Sequence, residues 1–204
     1  MNTSVIATDR VRPVAAAAGS WALIRCLMAT VRLLSAGRVR LPTRNVGRTI
    51  CFADGTTGRV FRETELDVDA VTDPATLIVM FRLRWIGSHA VAHRLFRIES
   101  LCNTLLFVGF PGFVSKLWIA ADEAGRYRGV YEWDSAELAT SYVRALWWPL
   151  ALVSERSSIC FHVVPNTHRD DAPTTVVPAP EDALWWRMVL RSGTVSEKTQ
   201  RPSE

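Results

Sequence analysis

The chain has 204 residues, 49% hydrophobic and 22% charged, with a formal charge of +4, the balance of a globular protein able to bury a core. The charge is mild and no Lys/Arg run is dense, which excludes a nucleic-acid footprint. Four scattered cysteines (Cys26, Cys51, Cys102, Cys160) form no C-x-x-C pair, so zinc-ribbon and thioredoxin-type chemistry is excluded and reduced thiols in a cytoplasmic protein are the simplest account.

Residues 1–13 are polar, end at Pro13 and read as a disordered N-terminus. Val14–Ile24 is uncharged and apolar but too short to span a bilayer. From Trp21 the pattern turns helical within a segment taken as 14–40. Trp21, Ile24, Met28, Val31 and Leu34 share one stripe, and Arg25 and Arg32 share another. Three readings compete: a helix packed on the domain or a partner, an interfacial membrane helix with a basic flank, and a signal peptide.

Residues 44–74 read as a hairpin and linker. Thr49–Phe52 leads into Asp54-Gly55 and Arg59–Arg62 returns, a hairpin signal that predicts two positive-φ positions in the turn.

Residues 75–165 carry the main domain. The apolar run Leu77–Phe81 predicts a central strand, with Arg82 and Arg84 alternating at its far end. Ser88 is a candidate cap for a first helix with the buried stripe Val91, Leu95, Ile98, Cys102 and Leu105. Val114–Ala120 and Tyr127–Trp133 are the next strands, around a turn at Asp122–Arg126. Asp134 caps a second helix running to Pro149, with Glu137 completing a capping-box pattern. Ser158–Val164 is the last strand. This β-α-β-β-α-β order predicts an α+β, ferredoxin-like antiparallel sheet with both helices on one face, extended by the N-terminal helix and hairpin. Residues 166–204 read as a linker, a Trp185-Trp186 docking segment and a polar tail.

Ser115-Lys116-Leu117-Trp118, a charged turn, then Gly129-Val130-Tyr131-Glu132-Trp133 before a capped helix resembles the dimeric α+β-barrel superfamily. Within it the pattern is similar to the small cofactor-independent monooxygenases, over about the middle half of the chain. The resemblance implies a homodimer whose sheets pack face to face, a pocket between one sheet and its own helices, and a hydrophobic small-molecule ligand. The activity it implies is oxygenation of phenolic or polycyclic substrates with O₂ and no cofactor, or a related cyclisation or isomerisation.

The residues fit such a site in part. Trp118 and Tyr131 are candidates to stack on a planar ligand, and the phenol can also hydrogen-bond it; plain sheet packing is the competing account of Trp118. Arg82 and Arg84 offer guanidinium groups for a carboxylate or enolate, or for surface ion pairs. His162, among apolar neighbours in the last strand, is a candidate general base or a structural imidazole. His89 and His93, spaced i, i+4, lack a third ligand, so no metal site is expected. No Gly-rich phosphate loop or G-x-S-x-G elbow is present. The rival to an enzyme is a non-catalytic binding or assembly protein that makes peripheral membrane or partner contact through Trp21–Leu34.

Overall fold

The computed structural model describes residues 13–84, 107–173 and 181–189. The helix expected after Ser88, with the pair His89/His93, lies outside the described residues, as do both polar ends.

The described elements are α1 Ala16–Ser35, β1 Val39–Arg40, β2 Thr49–Phe52, β3 Thr57–Leu66, β4 Ala75–Arg82, β5 Phe113–Ile119, β6 Arg126–Trp133, α2 Ala136–Val153, β7 Cys160–Val164 and β8 Met188–Val189. The chain is α+β, with an antiparallel sheet that curls into a half-barrel. Strand order is β7-β4-β6-β5-β3-β2-β8, and β1 pairs with β3 off this path. Bulges between Val60 and Arg62 in β3 and between Phe113 and Ser115 in β5 supply local bends.

Sequence sets the centre of the sheet. Ala75–Met80 of β4 and all of β5 are buried, as strands covered on both faces must be. One face carries Leu77, Val79, Tyr131, Trp133, Phe161 and Val163, packed under α2 through Ala139, Tyr142 and Val143. The other carries Ile78, Met80, Leu117, Ile119 and Val130, covered by Phe52 and by Trp185, Trp186 and Met188. The hairpin is no appendage: β3 runs along β5 and continues the sheet.

Several boundaries differ from those expected. The β2–β3 turn has positive φ only at Gly55 (φ 81°), because Ala53-Asp54 makes a three-residue loop with Gly55 closing it. Ser135, not Asp134, caps α2: its Oγ accepts the Leu138 N–H at 3.2 Å, while Asp134 Oδ1 accepts the Thr72 N–H at 2.8 Å. α2 also runs through Pro149 to Val153. A proline there withholds the bond to the Ala145 carbonyl, but the turn beyond it is tied to the end of β4. The Arg84 N–H donates to Val153 O at 2.9 Å, and Leu83 bridges Ser154. Residues 166–173 are anchored and do not behave as a linker: Thr76 Oγ1 donates to Thr167 O at 2.9 Å, and Arg169 is buried.

α1 lies along α2. Gly19 faces Trp148, whose indole N–H donates to the Val14 carbonyl at 2.9 Å. At Gly109 a Cβ would stand 2.1 Å from the Cys26 carbonyl, so only glycine lets that loop meet α1 so closely.

Candidate functional site

The α2 side of the sheet holds a cluster of rings. Phe107 stands 5.4 Å from Trp118 and 6.2 Å from Tyr131, both edge-on, and Tyr131 lies 5.6 Å from Tyr142 between ring centroids. Strand register assembles it. Arg62 is opposite Trp118 and Thr64 opposite Lys116 across β3–β5, while Tyr131 is opposite Lys116 and Gly129 opposite Trp118 across β5–β6. A Cβ on Gly129 would come 2.7 Å from the Tyr131 ring, so the glycine lets that ring lie over the strand.

Into this cluster points Lys116, only 6% exposed. Its Nζ is 3.2 Å from the Trp118 centroid, 4.5 Å from that of Phe107 and 4.6 Å from that of Tyr131. No carboxylate among the described residues forms an ion pair with it. The Arg62 guanidinium stands over the same indole, 4.1 Å from its centroid. Burial, and then the charge of Arg62, hold the Lys116 ammonium well below the ordinary lysine value. Burial also lowers Arg62 to about 10. The rings return part of the lost hydration as cation–π attraction to the protonated amine, while burial shifts its balance toward the neutral form.

The other polar groups are arranged around this pair. Trp118 Nε1 donates to Thr64 Oγ1 at 3.1 Å, which fixes the indole. The Tyr131 and Tyr142 hydroxyls are 3.5 Å apart, and burial raises both phenols. Cys26 of α1 bears electrostatically on Tyr142, and burial pushes its own thiol up.

The residues singled out from sequence are thereby divided. Trp118 and Tyr131 meet in the cluster. His162 does not join them, because alternation along β7 sends Phe161 and Val163 to the α2 side and His162 to the other. There it stacks on Trp186 at 3.8 Å and 12° between planes. Its Nδ1 is buried without a hydrogen-bond partner among the described residues, and burial lowers its pKa to about 4. A base on that face cannot reach a ligand at Tyr131.

Arg82 sits at the outer end of β4, 3.6 Å from Glu155 in a half-exposed pair. Arg84 lies past the strand, exposed, with Nη2 3.1 Å from the Ser154 carbonyl and 3.4 Å from that of Ala151. It serves as a C-terminal cap for α2 and leaves the ring cluster without its guanidinium.

The residues that sequence reading missed are Lys116, Arg62 and Tyr142. The signal for Lys116 was its place two residues before Trp118 on a fully buried strand, which puts both on one face.

Two further features bear on the site. A groove of about 340 Å³, lined by Leu33, Leu66, Val68, Val108, Phe113 and Asp134, is touched by none of the five expected residues. The sheet face that the resembled superfamily gives to a second subunit is covered here by the chain's own Trp185, Trp186 and Met188. Among the described residues no three His, Cys, Asp or Glu side chains gather as a metal site. Comparison of the chain with family models, curated proteins and solved structures finds no match.

Proposed function

We propose that this chain is a small-molecule-binding protein of the ferredoxin-like α+β type, taking an apolar aromatic ligand that carries a phenol or carboxylic acid. The order β7-β4-β6-β5 supports the fold reading, since it sets the fourth, first, third and second strands of the main domain side by side. The observation that carries the binding reading is the Lys116 amine, enclosed by three rings with no carboxylate paired to it among the described residues. A buried lysine without an anion is costly unless it stays neutral. A phenol that enters hands its proton to Lys116, whereas a carboxylate enters as the anion while Lys116 takes its proton from water, and either ion pair is stabilised by low local dielectric and by Arg62. Trp118, Phe107 and Tyr131 are 2–5% exposed, so a ligand gains their ring faces by displacing the Lys116 chain that lies against them.

Oxygenation of a phenol by O₂, the reaction implied by the resemblance, starts with removal of the phenolic proton. Lys116 is the base this site offers, in place of Arg84 or His162. Binding is tested by titrating the full chain with hydroxynaphthoic acids and naphthols, following tryptophan quenching. Wild type should saturate and Lys116→Met should bind at least about tenfold more weakly, the scale of one charge-assisted contact. Equal binding by the variant overturns the reading. Oxygen uptake with the same compounds under air separates turnover from simple binding.

A further inference from the structure

α1 presents two unlike faces. Gly19, Cys26 and Thr30 meet the rest of the chain, and at Gly109 the approach leaves no room for a Cβ. On the other side Trp21, Ile24, Leu27, Met28, Val31 and Leu34 are exposed by 42–60%. Such a continuous apolar stripe far exceeds the scattered apolar residues of an ordinary surface. Trp148, tied to Val14 and 38% exposed, adds an indole beside the start of the helix.

Charge says what covers this stripe. From Pro13 to Ala53 there are six arginines (Arg25, Arg32, Arg38, Arg40, Arg44, Arg48) and no Asp, Glu or Lys. Arg25 and Arg32 are exposed and, one heptad apart, lie along one edge of the stripe. In a two-fold pair of such helices the same patch faces itself, and its arginines meet no acid on the partner's stripe. An anionic lipid surface complements both the apolar stripe and its basic edge. α1 passes the length and composition test for a membrane span. Its packed side argues for lying flat instead, because crossing the bilayer would pull Cys26 and Thr30 away from the Gly109 loop.

We infer that α1 is a peripheral docking element for membranes containing anionic lipid, with Trp21, Ile24, Met28 and Val31 seated among the acyl chains and Arg25 and Arg32 at the headgroups. The test is flotation of the full chain with vesicles of phosphatidylcholine alone and of equal parts phosphatidylcholine and phosphatidylglycerol. Wild type should float with the mixed vesicles and dissociate as salt rises. Arg25→Gln/Arg32→Gln should weaken that binding about 30-fold, and Trp21→Ser/Met28→Ser should abolish it with far-UV circular dichroism unchanged. Brominated lipid should quench tryptophan emission, and Trp21→Phe should remove most of that quenching.

Absence of wild-type flotation overturns the inference, as does binding indifferent to these substitutions. A dimer in sedimentation equilibrium that Ile24→Glu converts to monomer assigns the stripe to a second copy instead. A native protein whose mass starts after Ser35 marks α1 as a removed signal sequence, which also overturns it.

Discussion

On the face of the sheet away from α2, Glu63 is fully buried and fully met. Arg169 Nη2 lies 3.0 Å from its Oε1, Asn45 donates from its side chain at 3.0 Å, and Arg44 approaches to 3.4 Å. Arg169 also donates to Ser115 Oγ at 2.9 Å; elsewhere on this face Arg128 is held by Asp122 at 3.0 Å and Asp54 at 3.1 Å, with its Nε left without a partner among the described residues. On the α2 face Lys116, one residue along from Ser115, has rings around its Nζ and no described carboxylate paired to it. Both faces bury charge. One uses it to lock the segment around Arg169 and the hairpin onto the sheet, and the other holds an amine with no described anion beside it. A complete buried network is difficult to alter without loss, whereas an incomplete one is where an outside partner fits.

The largest effect should come from breaking the complete side. Arg169→Met strands the Glu63 carboxylate with only Arg44 and Asn45, and should destabilise the chain by about 3–5 kcal/mol in urea unfolding. Glu63→Gln added to Arg169→Met should recover part of that loss, since it removes the orphaned charge. If the single variant loses under about 1 kcal/mol, the network is not the lock described.

Lys116→Met should move the other way. It removes a poorly solvated amine and keeps a flexible apolar chain among the rings, so stability should rise by about 1–3 kcal/mol at neutral pH. The pH profile sharpens the point. The folded Lys116 pKa lies below the ordinary value of about 10.4, so the unfolded chain binds the extra proton between the two. Wild-type stability should therefore climb with pH through that window and fall as pH drops toward the folded pKa. Lys116→Met should lack this slope. An equal slope in both proteins would place the titration elsewhere.

Much of the framework is legible in the chain. The run Leu77–Phe81 marks a strand buried on both faces, Asp54-Gly55 and Asp122–Arg126 mark turns, and alternation around Trp118 and Tyr131 puts those rings on one side. The site is less legible for two physical reasons. A lysine in sequence reads as a solvent residue, and its burial follows from covering elements far along the chain. Which strands flank it is also a long-range matter: Arg62 reaches Trp118 from 56 positions away, because β3 joins β5 across the whole of β4. Likewise the alternation that excluded His162 from the ring cluster was available, but which face α2 covers was not. Pro149 misled because a proline's local cost was set against no knowledge of the contacts from Arg84 and Leu83 beyond it.

His162 supplies the smallest and most discriminating test of the two-faced picture. It shares the outer face with the complete network yet stacks flat on Trp186 with a pKa near 4. Since the unfolded imidazole titrates near 6.5, the unfolded chain binds the extra proton between those values, and stability present above about 6.5 is lost as pH falls toward 4. The loss is about 1–2 kcal/mol over that window. His162→Phe keeps a flat ring against Trp186 and should flatten the profile in that window, while leaving the Lys116 slope at high pH unchanged. It should also leave binding of naphthols intact, because the sheet stands between the two groups. If His162→Phe instead abolished binding, the ligand would sit under Trp186, and the pairing of roles between the faces would have to be reversed.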